Sequence, residues 1–333
     1  MKLIVQIPCF NEQETLARTV SDIPRRIDGI DIVEVLVIDD GSTDRTAEVA
    51  RAAGVDHYVR HPRNRGLARS FRTGIDACLG LGADIIVNTD GDNQYAGADI
   101  PKLIQPILHG RADIVIGDRQ TDQLEHFSPL KKRLQAVGSW VVRRLSATKV
   151  PDAVSGFRAI SRGAAFQLNI LSNFSYTIEM LIFAGRRGLA IASVPVKTNP
   201  MNRPSRLFKS IPHFLARSGT TMLRMFAMYK PLRVFFFLGL ALSTAGAIPV
   251  LRFLYFWAVG DGVGHIQSLI LGGVLLVIGF MTFLIGLVAD LISFNRQLLE
   301  MVLEKMRRLE LDERRGAVVP DRETVLRWSR GVK

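Results

Sequence analysis

Two carboxylates and an amide follow an apolar run in the first third of the sequence. Residues 85–95 read IIVNTDGDNQY, so Asp90, Asp92 and Gln94 come directly after a predicted buried strand. Unpaired carboxylates beside an apolar strand are costly, so we expect a cation there. Oxygen ligands suit Mg²⁺ or Mn²⁺, whereas Zn²⁺ prefers His and Cys. We predict a divalent-metal site that also binds a substrate's phosphates. A polar turn in which one Asp caps the next helix is the alternative.

A second acidic pair ends another predicted strand. Residues 35–44 read VLVIDDGSTD, with Asp39 and Asp40 before the turn and Asp44 placed to cap the following helix. Ordinary strand-to-helix turns use the same residue types. Two acidic strand ends that face one crevice nevertheless indicate a substrate with hydrogen-bond donors and a diphosphate that binds a metal.

The order of predicted elements explains how these groups would meet. From residue 1 to about 117, short β-branched runs alternate with helical patterns. This alternation is typical of an α/β fold with a mostly parallel sheet flanked by helices. Ligands of such sheets collect outside the carboxyl ends of the strands, where the acidic pairs lie. Beyond a loop and a basic helix, the pattern predicts a return to the sheet at 150–160, a helix at 176–188 and a strand at 189–196.

Two long apolar segments follow in the last third of the chain. Residues 234–251 and 269–289 carry no charge, and about 20 helical residues cross a bilayer core. Arg and Lys flank the pair, so the positive-inside rule places the N-terminal domain and both termini in the cytoplasm, at the plasma (inner) membrane. The predicted organisation is a catalytic domain at 1–205, a juxtamembrane amphipathic helix at 206–231, a two-helix transmembrane hairpin at 232–294, and a C-terminal helix and tail at 295–333.

Composition narrows the class of partners. The chain has 333 residues, 48% of them hydrophobic, and a net charge of +12. The basic excess lies beside the apolar segments, so it favours a lipid bilayer as partner and gives no support for nucleic acid. The amphipathic segment 206–231 is predicted to lie in the headgroup layer, with packing on the catalytic domain as the alternative. Cys9 and Cys78 lack metal-ligand spacing, which indicates a reduced compartment.

Five motifs in order carry a resemblance to a known family. The segments IPCFNE, VIDDGSTD, NRGLARS, Asp-Gly-Asp and SGFRA begin at residues 7, 37, 64, 90 and 155. At these distances they resemble the family 2 inverting glycosyltransferases with the GT-A fold, over about residues 1 to 210. The two apolar segments make the chain most similar to the branch that transfers a sugar to a polyprenyl phosphate, such as dolichyl or undecaprenyl phosphate.

The resemblance implies roles for individual residues. Asp90, Asp92 and Gln94 would hold Mg²⁺ or Mn²⁺ and the diphosphate of a nucleotide-sugar donor. Two departures stand out: Gly91 occurs where many members have Ala, and NRPSRLFKS at 202–210 replaces a mannosyltransferase pattern, which casts doubt on mannose and GDP in particular. The implied nucleotide-binding residues are Pro8, Asn11, Glu12, Asp39, Asp40, Asn64, Gly66 and Asp90.

The chemical class of the sugar acceptor determines which further side chains the site needs. A hydroxyl acceptor requires a general base, whereas a lipid monophosphate already carries roughly −1.5 to −2 charges and needs positioning and neutralisation. Asp152 and Glu179 are candidates to position the sugar hydroxyls. With Asp90 and Asp92, Arg119 and Arg133 complete the predicted catalytic set. The candidates to bind the acceptor phosphate are Arg119, Lys132, Arg133, Arg203, Arg206 and Lys209.

Two alternatives stay open at this point. A transferase acting on a hydroxyl of a lipid-linked saccharide would use Asp152 or Glu179 as the base. A non-catalytic membrane-anchored interaction protein would need neither the acids nor a metal. A homo-oligomer is compatible with either function.

Overall fold

The computed structural model describes residues 1–120, 150–170, 176–199, 231–260, 265–316 and 325–327. The predicted basic helix with Lys132 and Arg133 lies outside these residues, and so does the predicted amphipathic helix at 206–231 except for its last residue, Pro231. The chain divides into two compact units. One unit comprises Met1–Ser205 with Leu303–Lys333, and the other comprises Arg206–Val302.

The first unit alternates strands and helices, as the sequence predicts. The strands are β1 Lys2–Cys9, β2 Ile32–Asp39, β3 His57–Arg60, β4 Ile85–Asn88, β5 Ile114–Asp118, β6 Arg158–Ser161, β7 Ile191–Pro195 and β8 Val325–Arg327. Its helices are α1 Leu16–Ser21, α2 Thr46–Ala52, α3 Leu67–Gly80, α4 Ile100–Leu108 after a 3₁₀ turn at Gly97–Asp99, α5 Arg162–Gln167 and α6 Tyr176–Arg186.

The described strands form one mostly parallel sheet, which confirms the predicted fold class. Their order is β7-β5-β6-β4-β1-β2-β3-β8. Strands β1 to β4 are parallel where they pair, and β5 is parallel to β7. Strand β6 runs antiparallel between β4 and β5. It therefore starts at the edge where its parallel neighbours end, and this brings the SGFRA motif to the carboxyl ends of β4 and β5.

Burial on both faces accounts for the near-continuous apolar strands. Every residue of β1 from Leu3 to Cys9 is buried, as expected for a central parallel strand covered by helices on both sides. Helix α3 turns Phe71, Ile75 and Leu79 inward, all at most 3% exposed. The buried polar side chain of β1, Gln6, donates a hydrogen bond from Nε2 to Asn88 Oδ1 at 2.9 Å, so its amide has a partner within the sheet.

Two short elements went unrecognised in the sequence. Helix α5 begins at Arg162, and the hydroxyl of Ser161 accepts a bond from the Ala164 amide as its N-cap. Strand β8 pairs antiparallel with the edge strand β3, with Tyr58 opposite Leu326. The sequence analysis took this region only as part of a tail, because three residues show no periodicity and their partner is remote. Pairing covers the edge of β3, which would otherwise expose unpaired backbone groups.

Two long apolar helices make up most of the described part of the second unit, which ends at Val302 within the second of them. Helix α7 covers Pro231–Val259 and helix α8 covers Ile266–Gly316. The most apolar 18-residue windows of the two helices have mean hydropathies of 2.1 and 2.6, and only 11% and 17% of these windows are buried. The core helix of a soluble protein would be mostly buried, so length, hydropathy and exposure together fit membrane spans. Helix α8 continues as one helix past residue 294, where the sequence analysis ended the second span.

Glycines seven residues apart bring α7 and α8 together. A Cβ added at Gly246 would lie 2.8 Å from the carbonyl oxygen of Gly272, and one added at Gly239 would lie 2.8 Å from that of Gly279. The numbering rises along α7 as it falls along α8, so the helices are antiparallel and form a hairpin. Small residues at such a contact let helix backbones approach closely in an apolar medium.

This contact predicts a position-specific effect of a large side chain. We expect Gly246→Leu to separate the helices and to cost about 1–3 kcal/mol of pairing energy. Cross-linking of Phe236→Cys with Phe283→Cys by a short thiol-reactive cross-linker, in a background with both native cysteines replaced by Ser, measures the pairing, because the native rings of these residues lie 6.2 Å apart between their centroids. Gly273→Leu is the matched control, because a Cβ added at Gly273 meets nothing within 4 Å. Equal cross-linking in the two leucine variants would contradict the prediction.

Candidate active site

The carboxyl ends of the parallel strands collect the predicted acidic residues. Cys9 at the end of β1 pairs in register with Asp39 at the end of β2. Asp90 follows β4 by two residues, and β4 lies on the other side of β1. The register of three adjacent strands therefore brings the first motif, the acidic pair at 39–40 and the acidic turn at 90–94 to one edge of the sheet.

The acidic turn presents one partly buried and one exposed carboxylate. Asp90 is partly buried and Asp92 is exposed. Burial raises the pKa of Asp90, and the neighbouring charges of Asp92 and Glu12 raise it further, while Arg119 opposes them. A divalent cation would relieve this repulsion between carboxylates. The electrostatics of the turn therefore fit a metal ion.

The number of available ligands limits what kind of metal site this is. Within the described ranges, no three His, Cys, Asp or Glu side chains lie close enough together to hold a metal ion. Mg²⁺ commonly binds through one or two carboxylates, substrate phosphates and water. Asp90 and Asp92 fit this pattern, so the turn suits a cation shared with a diphosphate and not a closed structural site.

Helix α1 holds the backbone of the acidic turn. The carbonyl oxygen of Gly91 lies 2.8 Å from Thr15 Oγ1 and 3.2 Å from Thr19 Oγ1, and it accepts hydrogen bonds from these hydroxyls. Glu12, directly before the turn that leads into α1, lies beside them, with its Oε2 2.9 Å from Thr15 Oγ1. The loop after β1 and the metal turn are thus joined by side-chain hydroxyls that the sequence analysis did not single out.

The end of β2 is held by donors from the protein itself. Asp39 is fully buried. Its Oδ1 accepts a bond from the Ser42 amide at 2.7 Å, and its Oδ2 accepts one from the Tyr58 hydroxyl. Arg60 lies 3.4 Å from the same carboxylate. Asp39 is therefore rigidly placed at the edge of the sheet, and Tyr58 is a positioning residue that its place in a short apolar strand did not reveal.

Asp40 holds the loop that carries Asn64 and Gly66. Its carboxylate accepts bonds from the amides of Arg65 at 2.9 Å and Gly66 at 2.8 Å, and it lies 2.7 Å from Nδ1 of buried His61. Each oxygen of this carboxylate thus has a partner in the protein. The structure consequently places Asp40 beneath the loop as its anchor, and a direct contact with a nucleoside stays a prediction.

Close backbone approach explains the glycine that follows Asp40. A Cβ at Gly41 would lie 2.6 Å from the backbone carbon of Arg63, and Gly41 has a φ of +75°. Both the space and the left-handed conformation therefore require glycine. Asn11, also left-handed at φ +56°, accepts a bond from the Thr43 amide through Oδ1 at 2.9 Å. Pro8 is buried at the end of β1 beside these loops.

Arg119 and Asp152 bind each other. Nε and Nη2 of Arg119 donate to Oδ2 and Oδ1 of Asp152 at 2.7 and 3.0 Å, and the side chains are only 12% and 2% exposed. The sequence analysis assigned the first residue to the acceptor phosphate and the second to the sugar. Glu179 lies on α6 and is also buried, at 1% exposure. The role of Arg119 in binding the acceptor phosphate stays a prediction, and so do the roles of Asp152 and Glu179 in positioning the sugar hydroxyls.

Arg158 organises the loop between Asp152 and β6. It is fully buried and donates to the carbonyl oxygens of Ala153, Ser155 and Thr177, each at 2.8 Å. Burial lowers the pKa of Arg158 to about 10. This loop brings Gly156 against the acidic turn, where an added Cβ would lie 2.7 Å from Asp90 Oδ2. The SGFRA motif contains Arg158, but its role in positioning Asp90 depends on the antiparallel course of β6.

Comparisons with known proteins agree with this geometry. The family model described as glycosyl transferase family 2 matches residues 4–167. The UDP-N-acetylglucosamine–dolichyl-phosphate N-acetylglucosaminyltransferase of Methanococcus voltae is 30% identical over 216 residues, which cover 58% of this chain and 83% of that protein. The chain belongs to glycosyl transferase family 2.

Further relatives of this family 2 glycosyltransferase extend the match. Glycosyltransferase AglJ of Haloferax volcanii is 29% identical over 311 residues, covering 91% of this chain and 95% of that one. The match therefore includes the apolar helices. In fold, the chain is similar to glucosyl-3-phosphoglycerate synthase from Mycobacterium tuberculosis with Mn²⁺ and UDP, with a TM-score of 0.53, 23% identity and coverage of 68% and 78%. Another structure of that protein contains Mg²⁺ and UDP.

Of the side chains predicted to bind the acceptor phosphate of this glycosyltransferase, Arg119 is the one that lies within the described residues. Arg119 lies at the end of β5, one residue beyond Asp118. The other cations that the sequence singles out lie outside the described residues: Lys132, Arg133, Arg203, Arg206 and Lys209. Their proposed contacts with an acceptor phosphate therefore stay predictions.

The side chains around Gly91 explain why glycine occupies this position, where many members of the family have alanine. A Cβ at Gly91 would lie 2.9 Å from Cys9 Sγ and 3.3 Å from Glu12 Cγ. We expect Gly91→Ala to cost about 1–3 kcal/mol through overpacking and to slow transfer. Cys9→Ala should restore much of the loss in the double variant. Thermal stability and transfer rate measure both effects. Gly163→Ala is the control, because a Cβ there meets nothing within 4 Å; failure of the double variant to recover would contradict the steric account.

Proposed function

We propose that this family 2 glycosyltransferase transfers a sugar from a UDP- or GDP-sugar to a polyprenyl phosphate at the cytoplasmic membrane face. The products are a polyprenyl-phosphate-sugar and a nucleoside diphosphate. The acidic turn at the carboxyl edge of the sheet carries the donor half of this proposal. The apolar hairpin and the dolichyl-phosphate transferase among the relatives support the acceptor half.

Asp90, Asp92 and Gln94 would hold Mg²⁺ or Mn²⁺ together with the donor's diphosphate. The metal, when bound, supplies positive charge that stabilises the departing nucleoside diphosphate. Asp92 is the exposed member of the turn, and its Oδ1 accepts a bond from the Gln94 amide at 3.1 Å, which fixes its orientation. The hydroxyls of Thr15 and Thr19 hold the turn through hydrogen bonds to the carbonyl oxygen of Gly91. These residues would place the anomeric carbon for in-line attack and inversion.

The hydrogen bonds that Asp152 accepts from Arg119 favour a phosphate acceptor over a hydroxyl acceptor. A hydroxyl needs a carboxylate that can take its proton. Both carboxylate oxygens of Asp152 already accept hydrogen bonds from Arg119, and the side chain is 2% exposed, so this carboxylate is poorly placed to meet a hydroxyl acceptor. Glu179 is 1% exposed on α6. A polyprenyl phosphate arrives already ionised, so the reaction then needs no general base.

Positive charge near the acidic turn would hold that phosphate. A guanidinium has five N–H donors, and Asp152 engages two of those of Arg119. Arg203 follows Asn199 by four residues, and a chain of that length spans at most about 14 Å. The Asn199 amide donates to Gln94 O at 2.8 Å. Arg203, Arg206 and Lys209 come soon after Asn199 in the sequence, and with Lys132 and Arg133 on the predicted basic helix they remain candidates to bind the acceptor phosphate.

Membrane placement follows from the two helices and the flanking charges. Helices α7 and α8 would form a transmembrane hairpin in the plasma (inner) membrane. The positive flanks would keep the catalytic domain and both termini in the cytoplasm. The predicted amphipathic segment 206–231 would then lie in the headgroup layer, next to the acceptor's phosphate.

A transfer assay with the full-length protein in detergent tests the proposal. A panel of UDP- and GDP-sugars is offered with a polyprenyl phosphate, or with the matching polyprenol as the control acceptor, with Mn²⁺ or with EDTA. We expect an inverted polyprenyl-phosphate-sugar with one donor, none with the polyprenol, and loss of product in EDTA. Transfer only onto a saccharide hydroxyl would support the first alternative. Absence of transfer with every donor and acceptor would support a non-catalytic protein.

A further inference from the structure

The chain after β7 runs alongside the acidic turn. Thr198 forms an antiparallel bridge with Tyr95. The Ala96 amide donates to the carbonyl oxygen of Lys197 at 3.3 Å, and the Asn199 amide donates to that of Gln94 at 2.8 Å. Residues 94–96 and 197–199 thus pair as two short extended segments. The turn that carries the proposed metal-binding carboxylates is therefore also held by a remote part of the chain.

Asn199 makes two hydrogen bonds to this turn. Besides its backbone bond to Gln94, its Nδ2 donates to the carbonyl oxygen of Asn93 at 3.0 Å. One residue thus binds two consecutive carbonyl groups. The Gln94 amide, on the other side of the same residue, donates to Asp92 Oδ1 at 3.1 Å. A displacement of Gln94 would therefore move the carboxylate that is proposed to bind the metal.

The turn needs an external restraint. Asn93 has a φ of +55°, in the left-handed region that L-residues adopt at a cost of roughly 1–2 kcal/mol. Asparagine often offsets that cost with a local side-chain hydrogen bond. Here the residue is only 9% exposed, and within the described structure its Oδ1 is buried without a hydrogen-bond partner. The bonds from Asn199 are accordingly what we expect to hold Asn93 in this conformation.

We propose that Asn199 is a positioning residue that keeps the acidic turn in its metal-binding geometry. This inference rests on the proposed function, because it assumes that Asp92 binds the metal. Asn199 acts through its hydrogen bonds to the carbonyl oxygens of Gln94 and Asn93, and it is not among the residues proposed to bind the metal or the substrate.

Asn199→Ala and Asn199→Asp in the full-length protein test the inference. The first removes the Nδ2 donor, and the second keeps the shape but turns an oxygen toward the Asn93 carbonyl. Mn²⁺ binding in the presence of UDP or GDP is measured by electron paramagnetic resonance, and hydrogen exchange is measured across residues 90–96. Lys102→Met is the matched control, because Lys102 Nζ bonds the carbonyl oxygen of Pro195 on the same segment but away from the turn.

We expect both Asn199 variants to weaken Mn²⁺ binding by about tenfold and to speed exchange in 90–96, with exchange in β1 unchanged. Lys102→Met should change neither quantity. Unaltered Mn²⁺ affinity in the Asn199→Asp variant, which preserves side-chain volume, would overturn the inference even if the Ala variant misfolds. A wild-type protein that binds no Mn²⁺ with either nucleotide would refute the metal function itself, and exchange rates alone would then decide whether Asn199 holds the turn.

Discussion

Asp92→Asn lowers sugar transfer by on the order of 10³-fold in our expectation, while the protein stays folded. Asp92 is exposed, and its Oδ1 accepts a hydrogen bond from the Gln94 amide, the one such bond to Asp92 within the described residues. The amide oxygen of Asn can accept the same bond. The substitution therefore removes negative charge from the turn and keeps its shape, so the loss falls on metal and diphosphate binding.

The measurement is transfer at saturating Mn²⁺, together with thermal stability. Asp28→Asn is the matched control, because Asp28 is another exposed acid of the first unit, and its removal should change neither quantity. Full activity of the Asp92→Asn variant in Mn²⁺ would exclude the metal role of the turn. A loss of activity accompanied by a large fall in melting temperature would instead point to a structural role for Asp92.

Asp152→Asn has the largest effect on stability that we expect from a single polar substitution. Breaking a buried ion pair costs about 3–5 kcal/mol, because one charge stays buried without compensation. Here Arg119 would keep its charge at 12% exposure and would face the Asn amide. Arg119→Met with Asp152→Asn removes the stranded charge, so the double variant should be more stable than Asp152→Asn alone.

The two cysteines make the first unit measurable by itself. Cys9 and Cys78 are the only cysteines of the sequence, and both are buried in that unit. The temperature at which a thiol-reactive dye labels them therefore reports its unfolding. Glu304→Gln is the control, since a surface i,i+4 pair with Arg308 contributes about 0.5 kcal/mol or less. If the double variant were no more stable than Asp152→Asn, the pair would not be the cause.

The order of elements and the class of the protein could be predicted from the sequence. Strands β1 to β5 and helix α3 follow from local apolar runs and their spacing, since each buries its side chains in a pattern that neighbouring residues already encode. The two apolar helices follow from length and charge alone. The acidic turn could be predicted for a similar reason, because Asp90 and Asp92 follow a predicted buried strand within a few residues, where an unpaired carboxylate is energetically costly. The family resemblance likewise rested on motifs that are each only a few residues long.

Partnerships across the chain were decided only by the tertiary structure. Arg119 binds Asp152, His61 lies against Asp40, Asn199 bonds Gln94, and β8 pairs with β3, and no local pattern encodes any of these contacts. Each depends on sheet order, register and the antiparallel entry of β6. The physical reason is that burial and periodicity are local properties, whereas the partner of a buried charge or an unpaired amide is whichever group the folded topology brings within about 3 Å.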